Sequence, residues 1–217
     1  MSDVWAAVPV KALAEAKQRL SPRLTAAQRH ALAAAMLEDV LTALCGASIA
    51  GIMVNTADNS AAVLARRFGA RVVTERAQDG HTAAVTAMAQ IMTREGTTAM
   101  LTVPGDIPRI VPAEVRQICA EPHEPPFVAI VPAHDQRGSN AVLLVPPTAI
   151  PLRFGDDSFF PHLETARRHG IEPQILSLPG IALDIDHPDD LYALLHAAPR
   201  LDTRAGRLLE ELRLSPR

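Results

Sequence analysis

Across residues 4–120, short apolar runs alternate with amphipathic stretches at close spacing, and few folds accommodate that rhythm. Residues 4–10, 51–56, 70–75 and 97–103 are brief and apolar, as buried strands are. Between them, residues 25–44, 59–69 and 82–95 carry apolar side chains at helical spacing, and residues 112–121 follow the fourth strand in the same way. The punctuation agrees. Thr25 is a good helix cap, Pro112 suits a first helical position, and Gly69 and Gly96 suit helix ends. Strand and helix in strict alternation predict βαβ units, hence an α/β fold with a mostly parallel, doubly wound sheet.

The pattern changes after residue 122. Residues 127–133 and 140–147 read as two apolar strands joined by a polar turn, which is an antiparallel hairpin element beside the parallel sheet. A helix over 157–170, a strand over 173–178, a strand-like "LDID" at 183–186, a helix from Pro188 and an amphipathic tail helix over 200–214 complete the reading. With no internal repeat or linker, residues 1–217 are expected to form a single domain.

Composition removes several classes of function. A net charge of -3 gives no basis for holding nucleic acid or an anionic membrane by bulk charge, and 3% aromatic residues leave little for base stacking. The most apolar window, residues 31–54, is interrupted by Glu38, Asp39 and a loop, so it is a helix then a strand and no membrane span is expected. The N-terminus lacks the pattern of a signal peptide, and the two cysteines, Cys45 and Cys119, read as reduced core residues, which points to the cytoplasm. A homodimer is compatible with the sequence, which does not fix an oligomeric state. No nucleophile elbow, Walker A loop or dinucleotide fingerprint is present.

Open parallel sheets bind ligands at the carboxyl ends of their strands. Lysines and an arginine (Lys11, Lys17, Arg19) follow the first strand, Asp106 follows the fourth, and Asp184 and Asp186 end the late one. Cations for phosphates and carboxylates for Mg²⁺ are what a nucleoside triphosphate needs. Each residue also has a plainer reading. Asp106 sits between Gly105 and Pro108 and fits a turn. The three basic residues fit a solvated surface. Asp186, Asp189 and Asp190 fit a helix start ahead of and behind Pro188. Asp184 does not, and a carboxylate in so apolar a run needs a partner. Treated as a strand, residues 183–186 aim Asp184 and Asp186 to one face. Gly138 and Ser139 before one strand, and Gly155 and Ser158 before a helix, fit either an anion site or an ordinary turn and cap.

Five stretches then line up in order: "PVKALAEAKQRL" at 9–20, "PGDIPR" at 104–109, "RGSNAVLL" at 137–144, "RFGDDSF" with "HL" at 153–163, and "LPGIALDIDHPDDL" at 178–191. Together they resemble the 2-phospho-L-lactate guanylyltransferase family of deazaflavin coenzyme F-420 biosynthesis, which includes phosphoenolpyruvate and 3-phospho-D-glycerate guanylyltransferases. The resemblance implies a Rossmann-like nucleotidyltransferase sandwich like that of molybdenum-cofactor guanylyltransferases. It implies GTP and a small phosphorylated three-carbon acid as substrates, pyrophosphate as the leaving product and Mg²⁺ as cofactor. By motif, Asp106, Asp184 and Asp186 would hold the metal. Ser139, Gly155 and Ser158 would hold the acceptor's carboxylate, and Lys11 and Lys17, with Arg19 beside them, would face the triphosphate, with Lys11, Lys17 and Asp106 as the catalytic groups. Gly80 and Thr82 would border the nucleotide, where this chain has Gly-His-Thr and relatives often carry Gly-Leu-Asn. Sugar-phosphate and molybdopterin nucleotidyltransferases usually open with a glycine-rich loop after the first strand, and here that loop has no glycine. A non-catalytic nucleotide-binding regulator is the other alternative.

Overall fold

The computed structural model describes residues 3–120, 124–155, 157–197 and 202–213. Strand β1 (Val4–Pro9) lies between β2 (Gly51–Asn55) and β4 (Ala99–Thr102), parallel to both, and β3 (Arg71–Val73) extends the sheet beyond β2. The hairpin strands are β5 (Phe127–Pro132) and β6 (Ser139–Val145), and β7 (Gln174–Ile175) is a short edge strand. The sheet order is β3-β2-β1-β4-β6-β5-β7. Only β6 runs against the rest: it is antiparallel to β4 and β5, whereas β7 is parallel to β5. The hairpin thus sits beside the parallel strands, as expected, with its second strand β6 against β4 and the short β7 beyond β5.

That placement positions the functional end of the molecule. Because β6 runs backwards, Val142 pairs with Thr102, and the strand begins, at Ser139 and Asn140, beside the carboxyl end of β4. The start of one strand thus joins the ends of the others at one edge.

Helices α1 (Ala26–Cys45), α2 (Asn59–Arg67) and α4 (Pro112–Cys119) cover one face. There Leu37, Leu41, Ala61 and Val115 pack on Ala6, Val8, Leu101 and Leu143. Helices α3 (His81–Arg94) and α5 (Phe159–Arg168) cover the other, where Met88, Met92 and Leu163 meet Ala7, Met100, Val142 and Leu144. Neighbouring residues along each strand go to opposite cores because strand side chains alternate between faces, and burial on both faces explains the nearly unbroken apolar runs. Thr25 caps α1 through a reciprocal pair with Gln28, as its position suggested. Among the described residues, no helix is long and apolar enough to cross a membrane.

Three local expectations are corrected. Residues 173–178 form only the two-residue β7. The chain then makes a single turn, α6 (Pro179–Ala182), and residues 183–186 are extended without being a strand. Second, Cys45 ends α1 exposed, and Cys119 is half-buried against the core. Third, the tail helix is the shorter α8 (Arg204–Glu211). Its amino end is capped by Asp39, which accepts from Arg204 and Ala205 N–H at 2.8 and 2.9 Å, and the ends of the expected 200–214 span lie outside the described residues.

Helix α7 (Pro188–His196) begins as the acidic run suggested. Asp190 reaches back, and its Oδ2 accepts from the N–H groups of Asp186 and His187 at 2.8 and 2.6 Å. These bonds hold the 183–186 segment at a fixed angle to α7. Asp190→Ala is expected to cost about 1–2 kcal/mol, the usual loss for such a cap. That is a fall of roughly 2–8 °C in Tm for a chain of this size, readable by thermal denaturation.

Candidate active site

The carboxyl edge of the sheet opens into a cleft of about 920 Å³, at the large end for small-molecule sites. All eleven residues singled out from the sequence as site candidates line it: Lys11, Lys17, Arg19, Gly80, Thr82, Asp106, Ser139, Gly155, Ser158, Asp184 and Asp186.

At its centre lies a cation held between two acids. The loop after β1 folds into two 3₁₀ turns, Leu13–Glu15 and Gln18–Leu20. Lys17 stands between them with φ 59, a left-handed conformation uncommon for a lysine. The kink turns its side chain inward, where it is 8% exposed, and places Nζ 2.5 Å from Asp106 Oδ2 and 2.6 Å from Asp186 Oδ1. The surface reading of Lys17 is thereby overturned. Burial works to lower its pKa, but the charges and hydrogen bonds of Asp106 and Asp186 outweigh burial and hold it above the ordinary lysine value. For Asp186, burial pushes upward, and Lys17, Arg19 and His187 prevail and hold it below the usual carboxylate range. Lys11 remains exposed at the rim of the cleft, and Arg19 lies exposed with Nη1 3.5 Å from His187 Nε2.

Residues 183–186 reach this centre without joining the sheet. The N–H of Ile185 donates to the carbonyl of Asp106 at 3.1 Å, which splices the late segment to the loop after β4. Leu183 and Ile185 are buried in a small apolar cluster with α1, α7 and α8, while Asp184 and Asp186 turn the other way into the cleft. The alternation expected of a strand holds because the backbone is extended, even though no ladder forms. Asp184 has a partner: Asn140 Nδ2 lies 3.0 Å from its Oδ1 and from the carbonyls of Ile181 and Ala182. Burial and the charges of Asp106 and Asp186 nonetheless hold Asp184 above the usual carboxylate range, against the pull of Asn140.

Among the described residues no three His, Cys, Asp or Glu side chains are gathered tightly enough to enclose a metal ion, and the single charge of Lys17 is shared by two of the three acids. The donor chemistry still suits a hard divalent cation. Asp106 Oδ1 is buried with no hydrogen-bond partner, and Asp184 carries repulsion from both other carboxylates. Carboxylate oxygen is what Mg²⁺ takes as ligand, and Asp106 Oδ1 is one left without a partner.

Another wall of the cleft carries the hydroxyls of Ser139 and Ser158. Ser158 opens α5 but makes no cap bond to its own helix. Its Oγ accepts from the N–H of Ser139 at 3.0 Å instead, so the ordinary N-cap reading fails. Ser139 Oγ lies 3.0 Å from His162 Nδ1. Beside them, a Cβ on Gly155 would meet open space, which leaves its backbone approachable. Gly80, with φ +96, starts α3 in a conformation that favours glycine. Thr82 also lines the cleft, and its Oγ1 accepts from the N–H of Phe154 at 2.9 Å, so it fastens the loop carrying Gly155. The Phe154 ring lies 4.4 Å from that of His81 and 5.0 Å from that of His162. Burial is the chief cause that pushes both histidines down to about 4, so both are neutral at pH 7.

Sequence reading passed over Asn140, His81 and His162. Asn140 and His162 lie inside quoted stretches, and a polar residue opening a wholly apolar strand was the available signal for Asn140. The histidines carried no such signal, since nothing in spacing tells a buried histidine from an exposed one.

An α/β sandwich with one reversed strand, and a cation-and-carboxylate cleft at its carboxyl edge, is the architecture of nucleotidyltransferases. The comparisons narrow this. Residues 4–216 match the family described as "Guanylyl transferase CofC like". The chain is 37% identical to a phosphoenolpyruvate guanylyltransferase of Rubrobacter xylanophilus, over 88% of this chain and 93% of the relative. It is 34% identical to a 3-phospho-D-glycerate guanylyltransferase of Colwellia psychrerythraea, over 86% and 89%. In fold it is similar to the solved structure of a candidate nucleotide-diphospho-sugar transferase from Desulfovibrio desulfuricans G20, with a TM-score of 0.79 at 19% identity, over 98% and 96%. The chain belongs to the guanylyl transferase CofC-like family.

Proposed function

We propose that this protein, as one nucleotidyltransferase domain, transfers GMP from GTP to the phosphate of a small phosphorylated three-carbon acid and releases pyrophosphate, as a step of coenzyme F-420 biosynthesis. The observation that carries the reading is the set of groups lining one cleft: the exposed cations Lys11 and Arg19, Lys17 bridging Asp106 and Asp186 with Asp184 beside them, and the Ser139 and Ser158 hydroxyls. A triphosphate suits the cations and a carboxylate suits the hydroxyls.

An oxygen of the acceptor phosphate attacks the α-phosphorus of GTP, a new phosphoanhydride bond forms, and the bond to the β-phosphate breaks. That oxygen is already anionic at neutral pH, so no strong general base is required, and the neutral His81 and His162 need not serve as one. The protein's work is positioning and charge compensation. Lys11 and Arg19 meet the triphosphate at the rim, and Lys17 couples phosphate binding to the two acids it bridges. Ser139, Ser158 and the Gly155 backbone fix the acceptor by its carboxylate, so that its phosphate points toward the acids. Asp106, Asp184 and Asp186 would hold Mg²⁺, which supplies charge neutralisation at the α-phosphate and the departing pyrophosphate.

The acceptor is tested by competition. GTP, Mg²⁺ and an equimolar mixture of phosphoenolpyruvate, 3-phospho-D-glycerate and 2-phospho-L-lactate are expected to yield one dominant guanylyl diphosphodiester, resolved by mass. ATP in a parallel reaction is expected to yield far less product. Absence of product with every acid sinks the proposal in favour of a non-catalytic nucleotide-binding protein.

A further inference from the structure

His162 lies beneath the wall assigned to the acceptor, 1% exposed, and both its ring nitrogens are engaged. The backbone N–H of Arg153 donates to Nε2 at 3.0 Å. A backbone amide can only donate, so Nε2 carries no proton. In the neutral ring the proton then sits on Nδ1, 3.0 Å from Ser139 Oγ. Ser139 Oγ is therefore the acceptor in that bond. Its own hydrogen must point elsewhere, and the cleft is the open direction. A ring kept neutral well below pH 7 by burial preserves this arrangement throughout the physiological range.

We propose that His162 is a positioning residue that orients the Ser139 hydroxyl as an obligate donor to the acceptor's carboxylate. The inference rests on the reading of Ser139 as an acceptor contact. The same ring also ties Arg153, and so the loop carrying Gly155, to helix α5. One buried side chain thus sets the direction of a hydroxyl and the place of a backbone approach. Ser158 follows similar logic through a different partner: its oxygen is occupied by the N–H of Ser139, which leaves its hydrogen for the cleft.

The two nitrogens can be separated by substitution. In His162→Asn the amide group ends where Nδ1 was and keeps a donor for Ser139. In His162→Gln it extends toward the place of Nε2, keeps an acceptor for Arg153 and loses the donor. Steady-state kinetics of both variants, of Ser139→Ala and of His162→Gln combined with Ser139→Ala are measured for acceptor and GTP separately, with Tm recorded. Ser139→Ala and His162→Gln are each expected to raise the acceptor KM about tenfold or more, the loss that goes with one hydrogen bond to a charged group. The KM for GTP stays within about twofold, and His162→Asn, which keeps the donor to Ser139 but loses the acceptor for Arg153, is expected to raise the acceptor KM less than His162→Gln does. The double variant is expected to match Ser139→Ala alone, because His162 acts through that hydroxyl.

If Ser139→Ala raises the acceptor KM while His162→Gln does not, or if the two effects multiply in the double variant, the proposal is overturned. If His162→Gln does not fold, His162→Asn decides: an acceptor KM raised as far as in Ser139→Ala overturns the proposal too. An unchanged acceptor KM in Ser139→Ala removes the underlying reading of the wall, and the positioning role falls with it.

Discussion

Asp106→Ala is expected to lower guanylyl transfer by about 100- to 1,000-fold or more, the scale on which single electrostatic groups act in phosphoryl and acyl transfer, while the chain still folds. The two halves of that expectation come from different oxygens of one carboxylate. Oδ1 is buried without a partner, so the folded state gains nothing from it and its removal relieves a desolvated oxygen. Oδ2 bonds Lys17, which keeps Asp186 when Asp106 is lost. Asp184→Ala is expected to behave alike, because that carboxylate is repelled by both neighbours and held chiefly by Asn140. Pyrophosphate release measures turnover, and circular dichroism checks the fold. A second readout isolates the metal. Millimolar Mg²⁺ is expected to raise the Tm of the parent chain and to leave both variants unmoved, since a ligand that binds only the native state stabilises it. Normal guanylyl transfer by both variants would sink the assignment of these aspartates to a metal.

How far the sequence carried this site depends on what kind of signal each residue left. The alternation of apolar runs and amphipathic helices suffices for the parallel half, because buried strands and helix periodicity are local properties. Thr25, Gly69, Gly96 and Pro112 mark their boundaries for reasons of backbone geometry that any single residue reveals. The place of β6 is different. Two strands joined by a six-residue turn are legible as a hairpin, but which of the two lies against the parallel strands depends on pairing with Ala99–Thr102, about forty residues earlier in the chain. That choice brings Ser139 and Asn140 to the carboxyl edge, and no local pattern encodes it.

Residues 183–186 show the complementary case. The inference that Asp184 and Asp186 share a face was right in direction and wrong in its stated cause. An extended backbone suffices for alternation, and the segment is held by one bond to Asp106 and by the Asp190 cap where a ladder was expected. Lys17 was the least legible of the acidic centre's members. A lysine in a polar loop is ordinarily solvated, and what turns it inward is one left-handed residue between two tight turns.

Lys17→Met tests that inward turn and carries the second large effect. Methionine matches the length of the lysine stem and removes only the charge. In metal-free buffer Asp106 and Asp186 then face the cleft with no cation between them. Breaking a fully buried pair costs about 3–5 kcal/mol. Asp106 and Asp186 are 28% and 43% exposed at the side chain, so solvent screens part of the loss and about 2 kcal/mol is expected, a fall in Tm of roughly 4–8 °C. A lysine on the surface, as the bare sequence allows, would change stability by no more than about 0.5 kcal/mol. Saturating Mg²⁺ is expected to restore most of the lost Tm, because a divalent ion can compensate the same carboxylates. Turnover should not return with it, and a loss of about 100-fold is expected to persist, since Lys17 is proposed to meet the triphosphate as well. Recovery of both Tm and turnover on adding Mg²⁺ would mean that Lys17 only neutralises the acids until metal arrives, whereas recovery of Tm alone assigns it to the phosphates as well.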